Sequence, residues 1–151
     1  MSDEDDPGDV AGGGRLDRTT MQTLGRRAET HPLVDAWRFE PDRLSPRSLV
    51  VSLDSTAYPD AVDTVRIEVH WFVTGDYYFH YVEARGASHF QCRWDRHPKT
   101  EAPRSHFHPP PDASGVESSS LGDHHLEVLF AVLDWVTERV ETLHDEPNRS
   151  A

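Results

Sequence analysis

The chain has 151 residues and a formal net charge of −12, enough length for one domain with its own core and too little for two. A balance this negative excludes the ordinary basic footprint of a nucleic-acid binder. Yet Lys99 is the sole lysine among fifteen cationic side chains, Ile67 is the sole isoleucine, and Asp plus Glu reach 27; this is a halophile-like composition in which carboxylates coat the surface whatever the protein does, so local departures from the background carry the information.

Residues 1–20 combine clustered acids with a glycine triplet and almost no bulky apolar groups, too little to offset the entropy lost on ordering. They read as a disordered acidic N-terminal tail ahead of a single α+β domain over 21–145, with 146–151 a flexible C-terminus. Residues 21–30 suit a short amphipathic helix that Pro32 limits. SLVVSLD, 48–54, is β-rich and bounded by Pro46 and the STAYPDA turn. TVRIEVHWFV then alternates strictly, with Val65, Ile67, Val69, Trp71 and Val73 on one face and Arg66, Glu68, His70 and Phe72 on the other. Loops at 74–76 and 84–87 would join this strand to YYFHYVE and then to SHFQCRW, giving a small antiparallel β-meander.

With those loops Val73 faces Tyr77, Trp71 faces Phe79, Val69 faces Tyr81, Phe90 faces Tyr81 and Cys92 faces Phe79. One face is then apolar. The other collects Glu68, His70, Tyr78, His80, His89, Gln91, Arg93 and Asp95. Beyond it the proline-rich stretch 98–111 is irregular, with a short edge strand at 105–108 and a Ser/Gly linker over 112–122. Asp123 is a suitable N-cap for a long C-terminal helix from about His124 to Leu143, whose Leu126, Leu129, Phe130, Leu133, Val136, Val140 and Leu143 would cover the apolar face. Cys92 is the only cysteine, so no intrachain disulfide forms, as suits a reducing interior. No secretory h-region or apolar run of about 18 residues is present, which implies a cytoplasmic protein with no membrane contact.

Residues 85–108 hold five cations against two acids, a local +3, while 112–151 hold two against nine, −7. The polar sheet face beside this cationic island gathers acid and base types where Thr, Lys, Glu and Ser would serve to meet water. Metal-independent RNA cleavage needs a base for the 2′-hydroxyl, an acid for the 5′-oxygen and a fixed cation at phosphorus; Glu68, His70 or His80 suit the proton roles, Arg93 or Arg104 the cationic one. A solvated or partner-covered face accounts for the same residues. His106-x-His108 points two imidazoles one way, a zinc pair if a third ligand such as His80 approaches, or a phosphate contact, or packing among prolines. Arg93 and Asp95, two residues apart, can pair, whether for catalysis or for architecture. No P-loop or GxGxxG is present, so no nucleotide cofactor is indicated.

The run YYFHY at 77–81, CRWDRHP at 92–98, SHFHP at 105–109 and a helix opening HHLEVL at 124–129 resembles the TumE family, toxins of toxin–antitoxin pairs, over roughly residues 45–140. The resemblance implies a small DNA-binding antitoxin as partner and nominates His80, Arg93, Asp95, His97, His106 and His108. The first reading is therefore a type II toxin and ribonuclease without metal or other cofactor: a proton-transfer pair from His80, His106 and His108, Asp95 orienting Arg93, and Arg104, His97 and Tyr78 binding substrate RNA. A non-enzymatic protein-binding module and a metal-dependent hydrolase using the His-x-His pair are the alternatives.

Overall fold

Alternation of apolar and polar side chains from Thr64 to Arg96 builds the three longest strands, and everything else packs around them. The structure, a computed structural model, describes residues 14–97 and 105–150, the side chains of 147–150 aside. In chain order these are helix α1 (Arg18–Ala28), strands β1 (Val34–Glu40), β2 (Ser48–Leu53), β3 (Thr64–Trp71), β4 (Tyr77–Arg85), β5 (Ser88–Arg96), β6 (Ser105–His108) and β7 (Glu117–Ser118), and helix α2 (His125–Ser150). The strands form one antiparallel sheet of seven in sequential order. Neither described helix is long and apolar enough to cross a membrane.

Both helices lie on one side of this sheet. Ile67, Val69, Trp71, Tyr77, Phe79, Tyr81, Cys92 and Trp94 are buried with Met21 and Leu24 of α1 and Val128, Leu129, Val132, Leu133 and Val136 of α2. Each large apolar side chain so buried contributes about 1.5–3 kcal/mol. Trp135 sets its ring edge-on to Tyr81 and Trp94, with centroids 4.9 and 5.4 Å away. The same side buries one carboxylate, Glu83, which accepts from Arg139 Nε and Nη2 at 2.7 and 3.0 Å, from Tyr81 Oη at 2.5 Å and from Arg85 Nη2 at 3.1 Å. Four charge-assisted bonds compensate its loss of water.

The expected meander is present, and its register differs from the sequence reading by two residues at both hairpins. Trp71 pairs with Tyr77, Val69 with Phe79 and Ile67 with Tyr81; Tyr81 pairs with Cys92, Phe79 with Trp94 and Glu83 with Phe90. The first turn takes 72–76, the second only Gly86 and Ala87, where Gly86 has φ 58°. An even shift keeps each side chain on its face, so the two-sided assignment stands. Past Trp71 it fails at Val73, which was expected in the core and is 56% exposed; Phe72 keeps to the His70 side, edge-on to that ring, though buried and bridged to Leu16.

Other boundaries differ as well. β1 and β7 were not anticipated. Helix α1 begins at Arg18 because Asp17 caps it, accepting from the Thr20 N–H at 3.0 Å; residues 1–13 of the expected tail lie outside the described residues. Helix α2 is capped by His124, whose Nδ1 accepts from the Leu126 N–H at 3.1 Å. The expected cap, Asp123, pairs with Arg96 at 2.6 Å instead. Phe130, expected in the core stripe, is 39% exposed beneath the Arg27 guanidinium.

Candidate functional site

The face turned away from both helices carries two cross-strand rows of ionisable and aromatic side chains. One row runs Glu68, His80, Arg93, His108 and the next His70, Tyr78, Asp95, His106, on β3, β4, β5 and β6 respectively. Neighbouring strands about 4.8 Å apart hold these groups within mutual reach.

In the first row, burial pushes the His80 imidazole below its ordinary value. Its Nε2–H donates to Gln91 Oε1 at 2.7 Å, so the ring is neutral near pH 7 with its lone pair on Nδ1. The Glu68 carboxyl is held below the usual carboxylate range by the hydrogen bond with His70, with burial opposing; the His70 Nε2 to Glu68 Oε2 distance is 3.2 Å. His70 stacks on Tyr78 with centroids 5.0 Å apart. Burial raises the Tyr78 phenol, which therefore keeps its proton. Arg93 donates from Nε to Asp95 Oδ2 at 3.1 Å and sets its guanidinium 5.6 Å from the Tyr78 ring centre.

Asp95 is the hub of the second row. Its side chain is 8% exposed, and Oδ2 also meets His108 Nε2 at 3.0 Å. His108 spends its other nitrogen on the Gly115 carbonyl, which Nδ1 contacts at 2.9 Å. Asp95 Oδ1 has no hydrogen-bond partner although it is buried. His106 Nδ1 lies 3.6 Å from it and His97 Nε2 3.8 Å, beyond hydrogen-bond length.

Of the residues singled out in the sequence, His80, Arg93, Asp95, His106, His108, His97 and Tyr78 all come to this face; Arg104 lies outside the described residues. Two roles change. His108 is 9% exposed with both nitrogens engaged, so it props Asp95 and is not poised to exchange a proton with substrate. For the same reason it does not pair with His106 as a metal ligand; the groups that converge with His106 are Asp95 and His97. His97 continues the parity of Arg93 and Asp95 one residue past β5, a signal the sequence did contain. The Gly115 carbonyl, from the stretch read as linker, left no such signal.

Compared with family models, the chain matches the one described as Toxin TumE over residues 23–140. No curated protein and no solved structure matches it.

Proposed function

The chain belongs to the TumE toxin family, toxins of toxin–antitoxin pairs, and on that premise we propose that it is a type II toxin restrained by a DNA-binding antitoxin protein, and that its polar sheet face takes RNA and cleaves it. The observation that carries this reading is the cross-strand neighbourhood of a neutral His80 and an Asp95-held Arg93 on the face the helices leave open. His80 Nδ1 takes the proton of the 2′-hydroxyl as that oxygen attacks phosphorus. Arg93, fixed by Asp95 and lying over Tyr78, stabilises the charge that builds on the non-bridging oxygens. The departing 5′-oxygen faces the Asp95 cluster one row along, where His106 gives it a proton, so that one proton is taken at His80 and one is returned.

The test uses purified protein and a short RNA, in molar salt as the acidic composition calls for. Cleavage to a 2′,3′-cyclic phosphate is expected, blocked by a 2′-deoxy residue at the scissile position. A positioned base contributes about 100- to 10,000-fold, so His80→Gln should slow cleavage by at least about 100-fold, and Arg93→Ala comparably. Intact RNA, or rates in the two variants equal to the parent's, rejects the proposal. Toxicity that survives both substitutions while the antitoxin still binds would assign the face to protein docking instead.

A further inference from the structure

We propose that Asp95, His97 and His106 form a binding site for one divalent transition-metal ion of the zinc class. Asp95 Oδ1 is a buried carboxylate oxygen with no hydrogen-bond partner, a rare and costly condition in a folded protein. It faces two imidazole nitrogens, His106 Nδ1 at 3.6 Å and His97 Nε2 at 3.8 Å, and the three ligand atoms all lie within 4.8 Å of one another. Those separations are too long for hydrogen bonds and close to what coordination needs: zinc bonds of about 2.0–2.1 Å at tetrahedral angles put ligand atoms about 3.3 Å apart. Each imidazole nitrogen needs to come only a few tenths of an ångström nearer to Asp95 Oδ1.

The donor set narrows the ion. Two imidazoles and one carboxylate suit zinc, cobalt or nickel better than magnesium or calcium, which prefer all-oxygen surroundings. The supporting groups are already in place. Asp95 Oδ2 is held by Arg93 Nε and His108 Nε2, and His108 is anchored on the Gly115 carbonyl, the outer hydrogen-bonding that orients a ligating carboxylate. The ligands come from β6 and from the end of β5, so the ion ties two strands together. Three protein ligands leave a coordination position for water or an anionic oxygen. The site departs from the sequence reading, which assigned no metal and considered His106 with His108 and a third ligand such as His80. It stands apart from the ribonuclease proposal, since occupancy is measured without any RNA.

The test is a titration of the full chain, stripped with chelator and exchanged into chelator-free buffer, first with Co(II) and then with Zn(II). One equivalent of Co(II) per chain should develop visible absorption that Zn(II) abolishes, and Zn(II) should raise the thermal midpoint. Loss of an outer-shell group typically weakens metal binding about 10- to 100-fold, so loss of a ligand in His97→Gln or His106→Gln should weaken it at least about 100-fold. His89→Gln, on the exposed end of β5, should leave it unchanged and so reports adventitious histidine binding. Circular dichroism of the stripped variants checks that they fold, and Asp95→Asn, which keeps the volume of the side chain, serves if either glutamine variant does not. Sub-stoichiometric uptake, unaltered affinity in the ligand variants, or equal loss in His89→Gln overturns the proposal.

Discussion

Replacing Asp95 by asparagine removes one charge from the hub and almost nothing else. The carboxylate accepts from His108 Nε2 at 3.0 Å and Arg93 Nε at 3.1 Å, and an amide oxygen can occupy the same place. Hydrogen bonds to a charged group contribute about 1.5–3 kcal/mol where neutral ones contribute about 0.5–1.5, so each bond loses about 1–1.5 kcal/mol. The Arg93 side chain is 30% exposed, which discounts its share to about 0.5 kcal/mol, and the new NH2 relieves the orphaned Oδ1 position by facing His97 and His106. About 1.5 kcal/mol of destabilisation remains, roughly 3–6 °C for a chain of this length. Asp95→Ala instead leaves Arg93 Nε and His108 Nε2 without the carboxylate they share, a loss of about 3–5 kcal/mol. Urea and thermal unfolding followed by circular dichroism, in chelator so that metal plays no part, should separate the two variants by at least about 1.5 kcal/mol. Equal losses, or an alanine variant within about 0.5 kcal/mol of the parent, would refute the hub.

Arg139→Met, which leaves the Glu83 carboxylate buried with Arg85 and Tyr81 alone, should cost about 3 kcal/mol in urea unfolding. Burial works to raise the Glu83 carboxyl, but its bonds to Arg139 and Tyr81 and the Arg139 charge leave it below its usual value of 4.5; the stability it contributes is present above that pH and lost as pH falls through the folded value, so the gap between parent and Glu83→Gln should shrink in acid. His80 acts with the same sign at higher pH, here because burial disfavours its charged form: the unfolded chain takes up the proton first, so stability declines as pH falls below about 6.5, and His80→Gln should flatten that slope in melts between pH 7.5 and 5.5. Gly25→Ala gains about 1 kcal/mol of helix propensity, but its Cβ would meet the Trp37 ring at 2.4 Å, while that ring is tethered by the Trp37 Nε1–H to Glu29 at 2.6 Å; a net loss of about 1 kcal/mol in urea unfolding is expected.

Strict period-two alternation is a strong signal, and it made the two faces of the central meander legible even where the turns were misjudged. The hairpins depend on where the chain reverses, and a reversal two residues earlier or later leaves the same parity. β1 was not legible because its burial does not alternate: Val34, Trp37 and Glu40 are half-buried, Phe39 is buried and Asp35, Ala36 and Arg38 are exposed, as suits an edge strand leaning on α1. β7 has two exposed residues, Glu117 and Ser118, and its place comes from pairing with β6 alone. The cap of α2 misled for an electrostatic reason. Asp123 is a good cap by type, but Arg96 at the end of β5 claims its carboxylate, leaving His124 to satisfy the first turn. At the site, residue types and parity brought the histidines to one face; which of their nitrogens were already engaged depended on the Gly115 carbonyl and on Gln91.

Charge counted along the chain and charge counted on the face give different answers, and the difference bears on RNA binding. Three of the five cations in 85–108 are described, and each has an acid partner: Arg85 with Glu83, Arg93 with Asp95, Arg96 with Asp123. Arg85 serves the buried carboxylate on the helix side, and Arg96 holds the residue ahead of α2. Only Arg93 of the three belongs to the two rows of the polar face; together with Arg66 of β3, which shares that face, it balances Glu68 and Asp95, a sum of +2 − 2 = 0 with histidines neutral. A phosphate diester meets a face with no net charge to attract it unless a further cation is present. A divalent ion on Asp95, His97 and His106 would turn 0 into +2 beside Arg93. Fluorescence anisotropy of a labelled RNA in which the scissile 2′-hydroxyl is replaced should therefore give tighter binding to the zinc-loaded chain than to the stripped one, with the gain abolished in His97→Gln. Equal affinity with and without zinc, in a chain shown to have bound it, would mean that the ion does not provide the missing charge and that RNA, if it binds, lies elsewhere.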